Sequence, residues 1–126
     1  MAKANTVASR KAKSRRLQNW TAKKIAELLE CEWGKDCNVA PREMGQSGTD
    51  IRLVGAAQEQ FPFSVECKNQ ETWSVPAWIR QAKKNQKDDT DWLLVCKKNN
   101  EDPIVVMDAE VFFKLLKESK NGKEKS

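Results

Sequence analysis

The segment Phe61-Pro-Phe-Ser-Val-Glu-Cys-Lys68 constrains the fold more than any other stretch of this 126-residue chain. Its apolar side chains alternate with polar ones, which is the pattern of a β-strand with one face in a core. These apolar side chains are Phe61, Phe63, Val65 and Cys67. The other face ends in Glu66 and Lys68, about 6.6–6.8 Å apart along a strand. The segment predicts a strand that packs a core on one side and presents an acid–base pair on the other.

A second short strand, led by an aspartate, precedes this segment. It reads Ser47-Gly-Thr-Asp50-Ile-Arg-Leu-Val54. Paired strands lie about 4.8 Å apart, so pairing would bring the carboxylates of Asp50 and Glu66 to a single divalent cation. Lys68 would lie beside that cation. The two segments therefore predict a metal site between neighbouring strands.

The order of apolar patterns predicts a mixed α/β fold, α-β-β-β-α-β-β-α, with one central sheet of about five strands flanked by helices. A helix over residues 15–32 carries an apolar stripe, and a helix over 76–87 separates strands that can lie parallel. Asp108 is placed as the N-cap of the last helix. The strands are expected at residues 37–40, 49–54, 60–68, 91–96 and 103–107. The helix residues expected to face the core are Leu17, Trp20, Ile25, Leu28, Trp78, Ile79, Ala82, Val111, Phe112, Leu115 and Leu116.

Charge divides the chain into a basic start and a near-neutral body. Residues 1–26 carry eight basic residues and no acid, whereas the remainder carries 15 basic and 18 acidic residues. We predict a disordered basic arm over residues 1–14, a single domain over 15–118 and a charged tail over 119–126. A basic arm on such a body favours a polyanion such as DNA as partner. The alternative is that the arm only solubilises the chain.

Composition excludes several kinds of chemistry. The chain has no histidine, so Ser-His-Asp and Cys-His nucleophilic schemes are unavailable. Its four cysteines show no CxxC spacing, which argues against zinc. Any hydrolysis must rely on carboxylates, lysine and a metal. The sequence shows no apolar run of membrane-spanning length and no segment like a signal peptide, which predicts a cytoplasmic protein without a membrane partner.

The pattern Asp50…Glu66-Cys67-Lys68 resembles the PD-(D/E)xK nuclease superfamily, with Thr49 where the motif's name has proline. The element order over residues 15–116 is most similar to small Holliday-junction resolvases and related short phage nucleases. The resemblance implies a restriction-endonuclease-like core. It implies that Asp50, Glu66 and the Cys67 carbonyl hold Mg²⁺, with Mn²⁺ able to substitute. Lys68 would hold the attacking water and stabilise charge on the phosphate.

The resemblance also suggests supporting residues on two helices. Gln18 would be the counterpart of a helix-borne glutamate, and Glu27 and Glu30 are rival candidates for that position. Gln81 matches a glutamine on the helix that follows the lysine. Glutamine can hold water or phosphate but contributes no charge.

Seven basic residues are candidate DNA contacts. Four lie at i, i+3, i+4 and i+7 on the helix over residues 76–87, which would form one basic stripe. The alternative is a solvated helix face. The seven are Arg15, Arg16, Arg42, Arg80, Lys83, Lys84 and Lys87.

Together these features predict a metal-dependent, structure-selective endodeoxyribonuclease that cuts four-way (Holliday) or other branched DNA. The resemblance implies a homodimer, located in the host cytoplasm if the gene is a phage's. One alternative is a less selective nickase or endonuclease with the same site. The other is a basic DNA-binding module in which Glu66 and Lys68 form only a surface ion pair.

Overall fold

The computed structural model describes residues 6–43 and 45–125, with side chains up to residue 122. The predicted order of helices and strands is confirmed, with one short helix added after the second strand. The elements are α1 (Val7–Leu29), β1 (Val39–Pro41), β2 (Ile51–Leu53), α2 (Ala56–Gln60), β3 (Phe63–Asn69), α3 (Val75–Lys84), β4 (Asp91–Lys97), β5 (Ile104–Met107) and α4 (Ala109–Lys125).

The strands of the described residues form two small sheets. In the larger one β3 runs parallel to β4, with α3 as the crossover, and β4 pairs antiparallel with β5. In the smaller one β1 and β2 are antiparallel. The prediction of one central sheet of about five strands is therefore wrong. The predicted parallel pairing across the helix and the final hairpin are confirmed.

Helix α2 lies between two strands that were expected to neighbour each other. The expected strands over residues 49–54 and 60–68 leave only a short connection between them, but that connection forms a helix whose Ala57 is buried in the core. A helical connection separates β2 from β3, so the two strands do not form a hairpin. A backbone bond from Asp50 N–H to the Val65 carbonyl (2.9 Å) still ties the start of β2 to β3.

Two clusters of buried side chains pack on opposite faces of β3 and β4. Under α1 lie the predicted inward residues of β3, namely Phe63, Val65 and Cys67, with Phe61 partly buried beside them. Under α3 lie Trp78, Ala82 and the partly buried Ile79, packed on Trp92, Leu94 and Cys96. The predicted inward faces of β3 and α3 are confirmed. Both faces of β4 are covered, as its continuous apolar run indicated.

Helix α1 begins eight residues earlier than predicted. Thr6 caps it by accepting a hydrogen bond from Ser9 N–H (3.0 Å), as N-cap threonines do. Asn69 Nδ2 donates to the Lys13 carbonyl (3.0 Å), and Lys13 itself is buried. The prediction of a disordered arm is thus wrong for residues 7–14, and residues 1–5 lie outside the described part.

The predicted apolar stripe of α1 is only partly buried. Leu17 and Ile25 lie in the core, but Trp20 is 42% exposed and Leu28 is 68% exposed. The prediction that these two face the core is wrong. α1 packs on β1 and β3, and Trp20 and Leu28 line a groove beside β4 and β5 that leaves them exposed.

Helix α4 begins where predicted but does not cover the core. Asp108 Oδ1 accepts hydrogen bonds from Glu110 N–H (2.9 Å) and Val111 N–H (3.3 Å), which confirms the N-cap. Val111 packs against the core, whereas the predicted core residues Phe112, Leu115 and Leu116 are exposed. The helix continues to Lys125, so the expected tail over 119–126 is helical up to that residue. Among the described residues no helix is long and apolar enough to cross a membrane.

The packing predicts that truncating two different valines lowers the free energy of unfolding by very different amounts. Val65→Ala removes a fully buried side chain from β3, whereas Val54→Ala trims a residue that is 43% exposed. We expect Val65→Ala to lower the free energy of unfolding by about 2–3 kcal/mol, because it loses apolar contact and leaves a cavity. Val54→Ala should change it by less than about 0.5 kcal/mol. Urea denaturation of the two variants measures both; equal losses would contradict the assigned core.

Candidate active site

Asp50 is held by a hydrogen bond from β3 to one carboxylate oxygen and by an ion pair at the other. Its Oδ2 accepts from Cys67 N–H (2.8 Å), and Arg42 Nη2 lies 3.3 Å from Oδ1. Arg42 Nη1 also donates to the Gly48 carbonyl (2.9 Å). Gly48 has φ +104°, a conformation that favours glycine. The Ser-Gly before the aspartate therefore lets the loop turn so that Asp50 meets the strand bearing Glu66.

Glu66 is a buried carboxyl group beside Asp50. It is 2% exposed, and its Oε1 accepts a hydrogen bond from Asn85 Nδ2 (3.0 Å). Burial raises the pKa of Glu66 to about 7, and the negative charge of Asp50 adds to the rise. The hydrogen bond from Asn85 and the charge of Lys68 oppose it. Burial beside Asp50 thus disfavours the ionised form of Glu66 more than Asn85 and Lys68 favour it.

Cys67 and Lys68 follow on opposite sides of β3. The Cys67 side chain is buried under α1 with its Sγ 3.7 Å from Thr21 Oγ1, and burial raises the pKa of the thiol far above its usual value. It is a neutral apolar side chain, as predicted. Lys68 is partly buried on the Glu66 side, where its charge favours ionised Glu66.

The donor set suits a hard divalent cation better than a soft one. Residues 6–43 and 45–125 contain no group of three or more Asp, Glu or Cys side chains arranged to hold a metal. They do contain the Asp50–Glu66 pair, in which burial and the charge of Asp50 raise the pKa of Glu66. Mg²⁺ typically uses one or two carboxylates and keeps several waters. The pair fits that requirement.

A basic cavity lies between α1 and the loop that contains Arg42. Arg15 Nη1 donates to the Arg42 carbonyl (3.3 Å), so the first helix contacts the loop that neutralises Asp50. The cavity has a volume of about 620 Å³ and is lined by Arg10, Lys11, Arg15, Gln18 and Arg42, among others. Gln18 and two of the predicted phosphate contacts, Arg15 and Arg42, therefore share one surface, and Arg42 links that surface to Asp50 through its ion pair.

The two glutamates considered as alternatives to Gln18 do not line this cavity. Glu27 is exposed, and Glu30 caps the C-terminal end of α1. Twelve residues of helix separate Glu30 from Gln18, which is a distance of about 18 Å. Arg16 is exposed too and lines a second cavity of about 640 Å³ with Asn69 and Lys97.

The basic stripe on α3 is shorter than predicted. Arg80, Lys83 and Lys84 are exposed on the helix, as is Gln81. Lys87 lies beyond the last helical residue, where its N–H donates to Ser64 Oγ (2.9 Å). The placement of Lys87 on the helix is therefore wrong, and the stripe consists of three cations.

The sequence did not predict one residue near the site, Asn85, and predicted another role for a second one, Arg42. Asn85, the bonded partner of Glu66, was missed, although it lies one helical turn after Gln81 and so was within reach of the same reasoning. Arg42 was interpreted as a phosphate contact, but here it is the ion-pair partner of Asp50. No local pattern around a single loop arginine indicates such a partner.

Comparison with known families identifies the family of this chain. A family described as "Phage putative PDDEXK endonuclease" matches residues 21–125. The chain belongs to this family. The match spans Asp50, Glu66 and Lys68 and begins after Gln18. Searches of curated proteins and of solved structures found no match. The resemblance inferred from Asp50…Glu66-Cys67-Lys68 is thus confirmed at the level of the nuclease superfamily, whose members typically use divalent metals.

The raised pKa of Glu66 predicts an effect of pH on stability. Folding raises this pKa from 4.5 to about 7, so its stabilising contribution is complete below pH 4.5 and is lost as the pH rises through 7. Glu66→Gln cannot ionise. In EDTA at pH 8 we expect Glu66→Gln to be more stable than the unaltered chain by up to roughly 3 kcal/mol, a difference that vanishes near pH 4.5.

Urea unfolding at several pH values tests this expectation, with the exposed Glu27→Gln as matched control. The control should show no such trend. A pH-independent difference between Glu66→Gln and the unaltered chain would mean that Glu66 is not held in a charge-excluding site.

Proposed function

We propose that this PDDEXK family member is a metal-dependent, structure-selective endodeoxyribonuclease that hydrolyses phosphodiester bonds in four-way or other branched DNA. The observation that carries the proposal is the buried Asp50–Glu66 carboxylate pair with Lys68 beside it. The family match supports endonuclease activity on DNA. Selectivity for branched DNA rests on the resemblance to small resolvases.

The divalent cation would be held by Asp50, Glu66 and the Cys67 carbonyl, with Mg²⁺ as the natural ion and Mn²⁺ as a substitute. When bound, the cation supplies Lewis-acid activation of water and neutralises charge at the phosphate. Arg42 neutralises Asp50 in the structure described here. With a cation held at Asp50, the Arg42 guanidinium would be free to bind a phosphate oxygen, for which its planar fork is suited.

The remaining site residues position the reactants. Lys68 holds the attacking water and stabilises the negative charge that develops on the phosphate. Asn85 fixes the orientation of Glu66 through its hydrogen bond to Oε1. Gln18, in the basic cavity, and Gln81, exposed on α3, orient water and the scissile phosphate.

The DNA backbone would lie along the basic surfaces on the two helices. Arg10, Lys11, Arg15 and Arg42 line the cavity next to Asp50. The cations of α3, which are Arg80, Lys83 and Lys84, extend the surface on the side of the sheet that carries Glu66. Arg16 and Lys87 would make further phosphate contacts.

Symmetry favours recognition of branched DNA by a homodimer. Cutting two strands of a junction in step requires two sites, which a two-fold dimer provides. The host cytoplasm, where phage DNA is processed, is the proposed location.

The deciding experiment is cleavage of a labelled four-way junction beside a linear duplex of the same sequence, in Mg²⁺ and in EDTA. We expect symmetric cuts in the junction that require the metal. Equal cutting of both substrates would overturn the selectivity and leave a general endonuclease or nickase. Binding without cleavage in either Mg²⁺ or Mn²⁺ would show that the chain is a DNA-binding module and not a nuclease.

Two substitutions test whether that cleavage takes place at the Asp50–Glu66 pair. Asp50→Asn and Lys68→Ala should each lower the cleavage rate by roughly a hundredfold or more, because each removes charge that acts on the transition state. DNA binding should persist in both. Lys114→Ala, on the exposed part of α4, is the control and should cleave normally. Undiminished cleavage by the site variants would place the active site elsewhere.

The basic cavity predicts a salt effect on DNA binding. Each phosphate contact adds about 0.9 to the slope of log affinity against log salt concentration. Neutralising the exposed Arg10 and Lys11 by Gln should therefore flatten the slope by about 2 and leave the helix intact. Neutralising Lys114 and Lys117 on α4 serves as the matched control. Fluorescence anisotropy over a salt series gives both slopes; identical slopes would exclude the cavity as a phosphate-binding surface.

A further inference from the structure

The second cavity, which Arg16 lines, lies where the parallel strands β3 and β4 end. The two strands run in the same direction, and their last residues, Asn69 and Lys97, lie side by side in the ladder. In open α/β sheets, ligands bind outside the carboxyl ends of parallel strands. The volume of this strand-end cavity is about 640 Å³, which is within the range of ligand sites, roughly 300–1,000 Å³. The cavity is therefore well placed and large enough to hold a ligand.

Trp20 supplies an aromatic wall of the strand-end cavity. Its side chain is 42% exposed, and it lines both this cavity and the apolar groove beside β4 and β5. Lys24 Nζ lies 5.6 Å from the centroid of the indole ring, and Lys24 lines the groove but not the cavity. The indole is thus open to a stacking partner on the cavity side. Aromatic side chains of this kind stack on the flat faces of unpaired bases.

Asparagine side chains bring hydrogen-bonding groups to the same cavity. Asn99 and Asn100 are exposed in the turn that follows β4, whereas Asn69 is 9% exposed. Asn69 Nδ2 donates to the Lys13 carbonyl, but within the described part of the chain its buried Oδ1 has no hydrogen-bond partner. Such an acceptor costs free energy until a donor reaches it. Amide groups match the donors and acceptors on the edge of a base.

The turn that carries Asn99 and Asn100 is held in place by the chain itself. Asn99 N–H donates to Glu71 Oε2 (2.6 Å), and Gln70 N–H donates to the Lys97 carbonyl (3.0 Å). Asn100 has φ +62°, a left-handed conformation that asparagine adopts more readily than most residues. This wall of the cavity is therefore formed before a ligand binds, which lowers the entropy cost of binding.

The charge of the lining favours a ligand that carries phosphate. It consists of two cations, Arg16 and Lys97, and one anion, Asp102. Lys97 Nζ is held by the Lys98 carbonyl (3.0 Å), whereas Arg16 is exposed and its guanidinium can follow a phosphate. A ring to stack on, amides for a base edge and a net positive charge are together the chemistry of a nucleotide site.

The strand-end cavity lies close to the candidate active site along β3. Asn69 is three positions after Glu66, which corresponds to about 10 Å along a strand. Lys68 directly precedes Asn69 and points to the opposite face of β3. A nucleotide in the cavity would therefore be a near neighbour, on the same DNA strand, of a phosphate held at Glu66 and Lys68.

We propose that the strand-end cavity binds an unpaired base of the DNA substrate, next to the phosphodiester bond that is cleaved. The base stacks on Trp20, and its edge is bound by Asn99 and Asn100. Arg16 contacts the adjoining phosphate. This role rests on the proposed function, in that DNA is the substrate. Taking a base out of a duplex costs free energy, and the cost is least where the base is already unpaired. The cavity thus supplies a physical reason for preferring branched to linear DNA.

The test compares two DNA duplexes that differ at one unpaired nucleotide, which carries a base in one and is abasic in the other. Fluorescence anisotropy with the full chain in EDTA gives both affinities without cleavage. We expect the base to raise the affinity by roughly tenfold or more, as stacking on an aromatic side chain does. Trp20→Ala should abolish this preference, and Trp20→Phe should keep most of it. An unpaired 2-aminopurine should lose fluorescence on binding the unaltered chain but not on binding Trp20→Ala.

Leu28→Ala is the matched control, because Leu28 lines the apolar groove together with Trp20 but does not line the strand-end cavity. It should keep the full preference for the base. Circular dichroism verifies that each variant folds. Asn99→Ala is the second test variant: it leaves the backbone bond to Glu71 in place and should lower the preference several-fold.

Equal affinity for the two duplexes would overturn the proposal, as would an unchanged preference in Trp20→Ala or a chain that binds neither duplex. Each of these results concerns binding in EDTA, so metal-dependent cleavage of a junction is tested separately. A chain that cleaves the junction selectively but ignores the base would keep the proposed function and lose the cavity. A chain that binds the base through Trp20 but cleaves no DNA would keep the cavity and lose the nuclease.

Discussion

The hydrogen bond from Cys67 N–H to Asp50 Oδ2 is the interaction on which the candidate site depends. β2 belongs to the small sheet and β3 to the larger one, so no shared strand ladder sets the distance between them. The Asp50 side chain and its N–H bond to the Val65 carbonyl supply that connection. A buried bond between an amide and a carboxylate contributes on the order of 1.5–3 kcal/mol. The residue that joins the two sheets is thereby placed beside Glu66.

The buried carboxyl groups of Asp50 and Glu66 can lie side by side only because neighbouring groups offset part of their negative charge. Two carboxyl groups in a buried place repel each other and lose hydration, which is why the pKa of Glu66 rises to about 7. Arg42 neutralises Asp50, and Asn85 donates to Glu66. Arg42 is partly exposed and reaches the basic cavity, so it can exchange one anionic partner for another. The site thus holds unfavourable electrostatic energy that a cation can relieve, as in other sites where function opposes stability.

Local periodicity predicted the elements of this fold, and long-range contacts decided how they assemble. The alternation from Phe61 to Lys68 fixes which side of β3 is buried, because side chains of a strand alternate whatever the neighbours. The same alternation cannot show that β2 pairs with β1, since that choice depends on α2. The first turns of α1 are held to β3 by the bond from Asn69 to the Lys13 carbonyl, a contact between residues 56 positions apart. Of the site, the family signature Asp50…Glu66-Cys67-Lys68 was readable in sequence, whereas Asn85 and the Arg42–Asp50 pair needed the three-dimensional structure.

The order of strands separates the two surfaces that the molecule offers. In the sheet β3-β4-β5, Glu66 and Lys68 lie on one edge strand, and the exposed apolar residues Ile104 and Val105 lie on the other. Two strand spacings, about 10 Å, separate these edges. The side chains of the candidate site therefore lie apart from the exposed apolar surface of β5, so a substitution on β5 can change that surface without touching Asp50, Glu66 or Lys68.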